Sequence, residues 1–149
     1  MQITLACVGS RPPANDPSHL LVGTFMDRCS GFARSTVEFF RDEELLLAWI
    51  ARQSGRTQPV AVLLDSRGRT MSSEAFAAWI GARRDEGTQH LIFAIGPASG
   101  WSDAARKKAQ LLLSFGPMTL AHAIARIVLA EQIYRAVTIL TGHPYHGGH

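Results

Sequence analysis

The sequence predicts an α/β fold, a mainly parallel sheet flanked by helices, in which residues 1–149 form one domain. Three observations carry this expectation. Short β-rich apolar runs occur at Ile3–Val8, Val60–Asp65 and His90–Ile95, and the last two are apolar but for one terminal residue each, as in strands buried on both faces. Segments of helical spacing, opened by polar caps, alternate with these runs, and strand–helix alternation builds parallel sheets. With 149 residues, 46% hydrophobic and 18% charged, the chain can also bury a core that needs no disulfide or metal.

Taken in order, Ile3–Val8 is a strand that stops at Gly9, before the breaker cluster Arg11-Pro12-Pro13-Ala14-Asn15-Asp16-Pro17. Residues 18–31 predict a helix, with Leu20, Leu21, Phe25 and Met26 near helical spacing and Gly31 as its stop. Ser35–Phe40 is read as a strand. Asp42 caps a helix through about Gln53, with Glu43 and Glu44 in the first turn, where the helix dipole favours negative charge. Val60–Asp65 is a central strand and Ser66-Arg67-Gly68-Arg69-Thr70 its exit loop. Ser72 or Ser73 caps a helix to about Glu86, with Ala75, Phe76, Trp79 and Ile80 on one stripe and Gly87 as its stop. His90–Ile95 is followed by Gly96-Pro97-Ala98-Ser99-Gly100, a short helix from Ser102 through Gln110, and a brief strand at Leu111–Leu113. The turn Ser114-Phe115-Gly116-Pro117 then leads into a long helix from about Thr119 to Leu140. In parallel sheets ligands bind beyond the carboxyl ends of the strands, so the loops after Asp65, Ile95 and Leu113 form the candidate site.

Composition narrows the function. No apolar run reaches the ~18 residues of a membrane span, and Met1-Gln2-Ile3-Thr4-Leu5 does not read as a secretion signal. Two cysteines, Cys7 and Cys29, fit a reducing cytoplasm and read as packing residues. The net charge of +3 comes entirely from residues 101–149; residues 1–100 carry ten basic and ten acidic side chains. Phosphate-loop, zinc-protease and serine-hydrolase motifs are absent. His143, His146 and His149 are spaced like metal ligands but lack a cysteine or carboxylate beside them, so no metal is expected. The last helix carries Ile124, Ile127, Val128, Leu129, Ile133, Val137 and Leu140 around most of its circumference, which implies burial on more than one side and a second copy of the chain as partner. On it, Glu131 and Arg135 lie one turn apart and can pair.

Five pieces in order carry a resemblance: Leu63-Leu64-Asp65-Ser66-Arg67-Gly68-Arg69, Ser72-Ser73-Glu74-Ala75-Phe76-Ala77, Phe93-Ala94-Ile95-Gly96, Met118-Thr119-Leu120-Ala121-His122, and Glu131-Gln132-Ile133-Tyr134-Arg135-Ala136 with Pro144-Tyr145-His146. Over about residues 59–146 the chain resembles the bacterial large-subunit ribosomal RNA pseudouridine N3-methyltransferases (RlmH, of the SPOUT class). The resemblance implies a C-terminal trefoil knot, a homodimer, and S-adenosylmethionine held by Leu64, Gly96, Phe115, Gly116, Pro117, Met118, Thr119 and Leu120. It also implies a target in helix 69 of 23S ribosomal RNA on the assembled 70S ribosome, with neither membrane nor DNA as partner. The chain departs from the family pattern at Pro97, where a second glycine is usual, at Gly116-Pro117 and at Ala121.

Methyl transfer to N3 requires removal of a weakly acidic proton or stabilisation of the resulting anion. Arg135 is the expected positioning cation, with Tyr145 and His146 closing on the base and His122 as a second candidate base. Arg67, Arg69, Arg106, Lys107 and Lys108 are candidate phosphate contacts, each set against ordinary solvated charge. Two alternatives stand beside this enzyme: a non-catalytic relative that binds RNA or the ribosome, and a nucleotide-binding domain unrelated to methyl transfer.

Overall fold

A computed structural model describes residues 1–53 and 55–148. Its sheet consists of Gln2–Val8 (β1), Arg34–Phe40 (β2), Val60–Arg69 (β3), His90–Ile95 (β4) and Leu111–Leu113 (β5). The strands are all parallel and lie in the order β2-β1-β4-β3-β5. The helices are Pro17–Arg28 (α1), Glu43–Ala51 (α2), Ser73–Asp85 (α3), Asp103–Lys108 (α4) and His122–Thr141 (α5), with single 3-10 turns at Cys29–Gly31 and His146–Gly148. This is the α/β architecture expected from the alternation of apolar runs and capped helices. Among the described residues no helix is long and apolar enough to cross a membrane.

The caps fall where side-chain chemistry requires them. Asp16, Asp42, Ser72 and Ser102 accept backbone N–H bonds from His19, Leu45, Ala75 and Ala105, so each supplies an acceptor to an orphan donor of a first helical turn. Gly142, at φ +73°, closes α5 in the left-handed conformation that glycine adopts without penalty. Several boundaries differ from the sequence reading. The first helix ends at Arg28 and tightens to 3-10 geometry, and the helix after Ser102 ends at Lys108 rather than Gln110. The last begins at His122, since residues 116–121 stay outside the helix as a loop with Gly116 at φ +103°. The expected loop Ser66–Arg69 instead prolongs β3, which bulges between Leu64 and Arg69 and so pairs both residues with Leu113.

Each sheet face is covered. Val22 and Met26 of α1, Phe76 and Ile80 of α3, and Leu129 and Ile133 of α5 pack on Ile3, Leu5, Val62, Leu91 and Phe93. Leu46 of α2, Trp101 and Ala105 cover Ala6, Leu63, Ile92 and Ala94 on the other face. Strands β1 and β4 are buried on both sides, hence their largely apolar sequence, and their two buried polar side chains, Thr4 and His90, bond each other at 2.8 Å. Helix α5 packs against both α1 and α3, so much of the apolar circumference that suggested a partner is covered within the chain. Ile124 of α5 remains about half exposed, as do Leu20 and Leu21 of α1.

Candidate functional site

At the carboxyl ends of β3, β4 and β5 the loops surround a cavity of about 280 Å³. Leu64, Gly96, Phe115, Gly116, Pro117, Met118, Thr119, Leu120 and His122 all line it, joined by Asp65, Trp101 and Ala125. Parallel pairing sets Leu64, where β3 begins to bulge, beside Ile95 and Leu113, which brings the bulge level with the origins of the two loops. The bulge in β3 lets the loop after β5 dock on its exit: Ser114 N donates to the Arg69 carbonyl at 2.9 Å, and its hydroxyl donates to the Ser66 carbonyl at 3.3 Å. That hydroxyl also accepts Gly116 N at 3.0 Å and so fixes the turn that opens the last loop. The walls are apolar side chains and loop backbone, a donor set suited to an aromatic heterocycle read by amides and carbonyls. Met118 is 83% exposed at the mouth.

Trp101 organises the cavity and was not singled out from sequence. Its indole N–H donates to the Leu64 carbonyl at 2.9 Å, and its ring lies against the backbone of Gly96, where an added Cβ would come within 2.7 Å. One buried side chain therefore ties β3 at its bulge to the end of β4. A side chain at Gly96 is excluded by the chain's own indole, which occupies the space a Cβ would need. Pro97 lines the cavity without an amide, while its carbonyl accepts Gly100 N at 2.8 Å to make the following turn.

Asp65 is the buried charge of the site, with 5% of its side chain exposed. Its carboxylate accepts Arg67 N at 2.8 Å and lies 3.4 Å from Arg67 Nε. Arg106 Nε lies 3.2 Å from its other oxygen, at ion-pair distance but without hydrogen-bond alignment. Two of the five candidate phosphate contacts, Arg67 and Arg106, are thereby held by a carboxylate.

The remaining site residues gather elsewhere. Glu131 Oε1 accepts Arg135 Nη2 at 2.7 Å, Arg135 Nε at 2.9 Å and the Tyr145 hydroxyl at 3.0 Å. Arg135 also lies over the Tyr145 ring, 4.9 Å from its centroid. Burial and the Glu131 carboxylate push the Tyr145 phenol above its ordinary pKa, so it stays a donor. His146 Nδ1 lies 3.0 Å from Arg135 Nη1, and its Nε2 lies 2.8 Å from Glu74 Oε1. A guanidinium only donates, so Nδ1 accepts and Nε2 carries the proton given to Glu74. Sequence reasoning paired Glu131 with Arg135 but missed it as the hub of this group. Arg135, Tyr145 and His146 do not line the cavity of their own chain. Of the three spaced histidines, His143 Nδ1 accepts Tyr145 N at 3.1 Å and His149 lies outside the described residues. Among the described residues no group of three or more His, Cys, Asp or Glu could hold a metal.

Residues 1–146 match a family model described as predicted SPOUT methyltransferase. The ribosomal RNA large subunit methyltransferase H of Koribacter versatilis is 50% identical over 129 residues, 87% of this chain and 88% of its own. The protein of that name from Brucella abortus is 56% identical over 85 residues, 57% of this chain and 50% of its own. Among solved structures, a probable methylase family protein from Haemophilus influenzae shares the fold at TM-score 0.52 and 12% identity, over 97% of this chain and 69% of that one.

Proposed function

The chain belongs to the SPOUT methyltransferase family, and from that membership we propose that it moves a methyl group from S-adenosylmethionine to N3 of a pseudouridine in helix 69 of large-subunit ribosomal RNA. It works in the cytoplasm as a homodimer on the assembled ribosome. One observation carries the reading: the residues that family resemblance assigns to the cofactor come from three separate stretches of sequence and line one cavity. Apolar Leu64, Met118 and Leu120 suit the faces of an adenine, and the backbone of residues 115–120 suits its polar edge. The hydrogen bonds that tie Ser114 to Ser66 and Arg69 bring two distant chain segments together, which supports a C-terminal trefoil knot around this loop.

When bound, S-adenosylmethionine supplies an electrophilic methyl group on a positively charged sulfur. The chain has to orient the pyrimidine, remove or share the N3 proton and exclude water. His122 takes that proton in this reading, which its position as first residue of α5 on the cavity wall supports. Arg135 acts as a directed donor to the charge that develops on the base, because Glu131 fixes the orientation of its guanidinium. Tyr145 and His146 close on the base from the same cluster. A homodimer joined through the face of Leu20, Leu21 and Ile124 offers that cluster from a second copy to the cavity.

Calorimetric titration of the purified protein with S-adenosylmethionine tests the cavity. One saturable site per chain is expected, weakened at least about tenfold by Leu120→Asp, which places an unpaired carboxylate in an apolar wall. Absence of binding at millimolar cofactor overturns the reading.

A further inference from the structure

Two guanidiniums lie against one ring at the end of β2. Arg11 Cζ is 5.1 Å and Arg126 Cζ 5.7 Å from the centroid of Phe39, and the His19 ring packs on Phe39 at 5.8 Å in an edge-on arrangement. Among the described residues neither Arg11 nor Arg126 makes an ion pair with a carboxylate. Asp16, at the start of α1, accepts from the Ser18 hydroxyl and from His19 N as a helix cap. Arg67, Arg106 and Arg135, by contrast, are held by Asp65 or Glu131.

The position of this cluster is fixed by strand register. Cys7 pairs with Phe39 on one side and with Ile95 on the other, and Ile95 lines the cavity. Two interstrand spacings put the Phe39 backbone about 10 Å from that wall. All three side chains belong to the α1/α5 face of the sheet, and Ala125, next to Arg126, lines the cavity as well. Two like charges fixed on one ring repel each other until an anion neutralises them. A phosphate does so with oxygens that match the fork of N–H donors on each guanidinium.

We propose that Arg11, Arg126 and Phe39 anchor the ribose-phosphate backbone of the RNA substrate beside the nucleotide to be methylated. The anchor rests on the reading of this protein as an RNA methyltransferase and adds the contact that sets where the strand runs. Phe39 gives both forks a common support, and the backbone runs past them toward the cavity.

Co-sedimentation with purified ribosomes across a potassium chloride series tests the anchor, with calorimetric titration by S-adenosylmethionine on each variant. Arg11→Gln and Arg126→Gln should each weaken ribosome binding and lower the slope of log K against log salt by about 0.7–0.9, the loss of one phosphate contact. Arg126→Lys should keep the wild-type slope. Arg34→Gln removes the same charge at the opposite end of β2 and should change neither slope nor affinity. Cofactor binding should be equal in all of them. An unchanged slope in Arg11→Gln and Arg126→Gln overturns the anchor, and so does an equal loss in Arg126→Lys, which would mark a packing role. A wild-type protein that binds cofactor but not ribosomes removes the RNA reading and the anchor together. Changed slopes without any cofactor binding remove only the methyl-transfer reading and keep the anchor.

Discussion

Trp101 sets the terms for single residues at this site. Gly96→Ala would drive a methyl group to within 2.7 Å of the indole, closer than van der Waals contact permits, so either the ring or the end of β4 must move. The expected outcome is a loss of S-adenosylmethionine affinity by calorimetry together with a shift of tryptophan fluorescence. Trp101→Phe keeps the ring contact but leaves the Leu64 carbonyl without its donor, at a cost of about 1 kcal/mol in urea unfolding. A second residue with a defined signature is His90, buried against Thr4 at 2.8 Å and edge-on to Trp49. Burial holds its pKa below the ordinary value of 6.5, so the unfolded chain binds the proton more readily. Its contribution is fully present above about pH 6.5 and is lost as pH falls from there through the lowered folded-state value. The urea midpoint should therefore drop between pH 7.5 and pH 5, and by less in His90→Gln. Burial also pushes both thiols, Cys7 and Cys29, up to about 12. A thiol-specific disulfide reagent at pH 8 should label neither until the protein unfolds; prompt labelling of the native protein would contradict their burial. Leu64, Gly96 and residues 115–120, which do line one cavity, were legible as a set through the family resemblance and through their place after three strands. The roles of Trp101 and Glu131 were not, since these side chains act through partners in other segments, such as the Leu64 carbonyl 37 residues away.

Elements were legible to the extent that local chemistry fixes them. Strands β4 and β5 matched their expected bounds, and the caps at Asp42, Ser72 and Ser102 fell where short polar side chains open segments of helix-forming residues. Ser72→Ala should cost about 1 kcal/mol of stability in denaturant melts and leave the fold intact. The run from Ser66 to Arg69 misled because polar residues with a glycine normally mark a turn, whereas here they continue β3 through a bulge. Gly68 shows the reason: a Cβ there would lie 2.5 Å from the Leu112 backbone, so only glycine lets β5 come this close to the prolonged strand. Gly68→Ala should separate the two strands, release the loop after β5 and weaken cofactor binding more than it lowers global stability. Equal cofactor affinity in that variant would show that the β3–β5 contact does not shape the cavity. Helix α5 was read as apolar nearly all round, which is correct, but α1 and α3 account for most of that surface. Such intramolecular packing depends on topology, which periodicity does not report.

At the scale of the whole molecule the structure has two chemically distinct groups: a cavity bounded by three loops, and a charged cluster centred on Glu131 that does not line it. A net charge of only +3 gives little long-range attraction to RNA, so the placement of unpaired arginines matters more than their number. Light scattering after size exclusion should give the mass of two chains, and an aspartate at Ile124 should shift it toward one, because that exposed apolar side chain lies on the proposed interface. A monomer at all concentrations would leave the two groups of residues without a way to meet. The central claim is methyl transfer, and it is tested most directly on ribosomes from cells that lack this gene. Incubation with the purified protein and S-adenosylmethionine, followed by mass spectrometry of the helix 69 fragment, should show one added methyl group at N3 of a pseudouridine. An unmodified fragment, under conditions in which the protein binds both cofactor and ribosome, would contradict it.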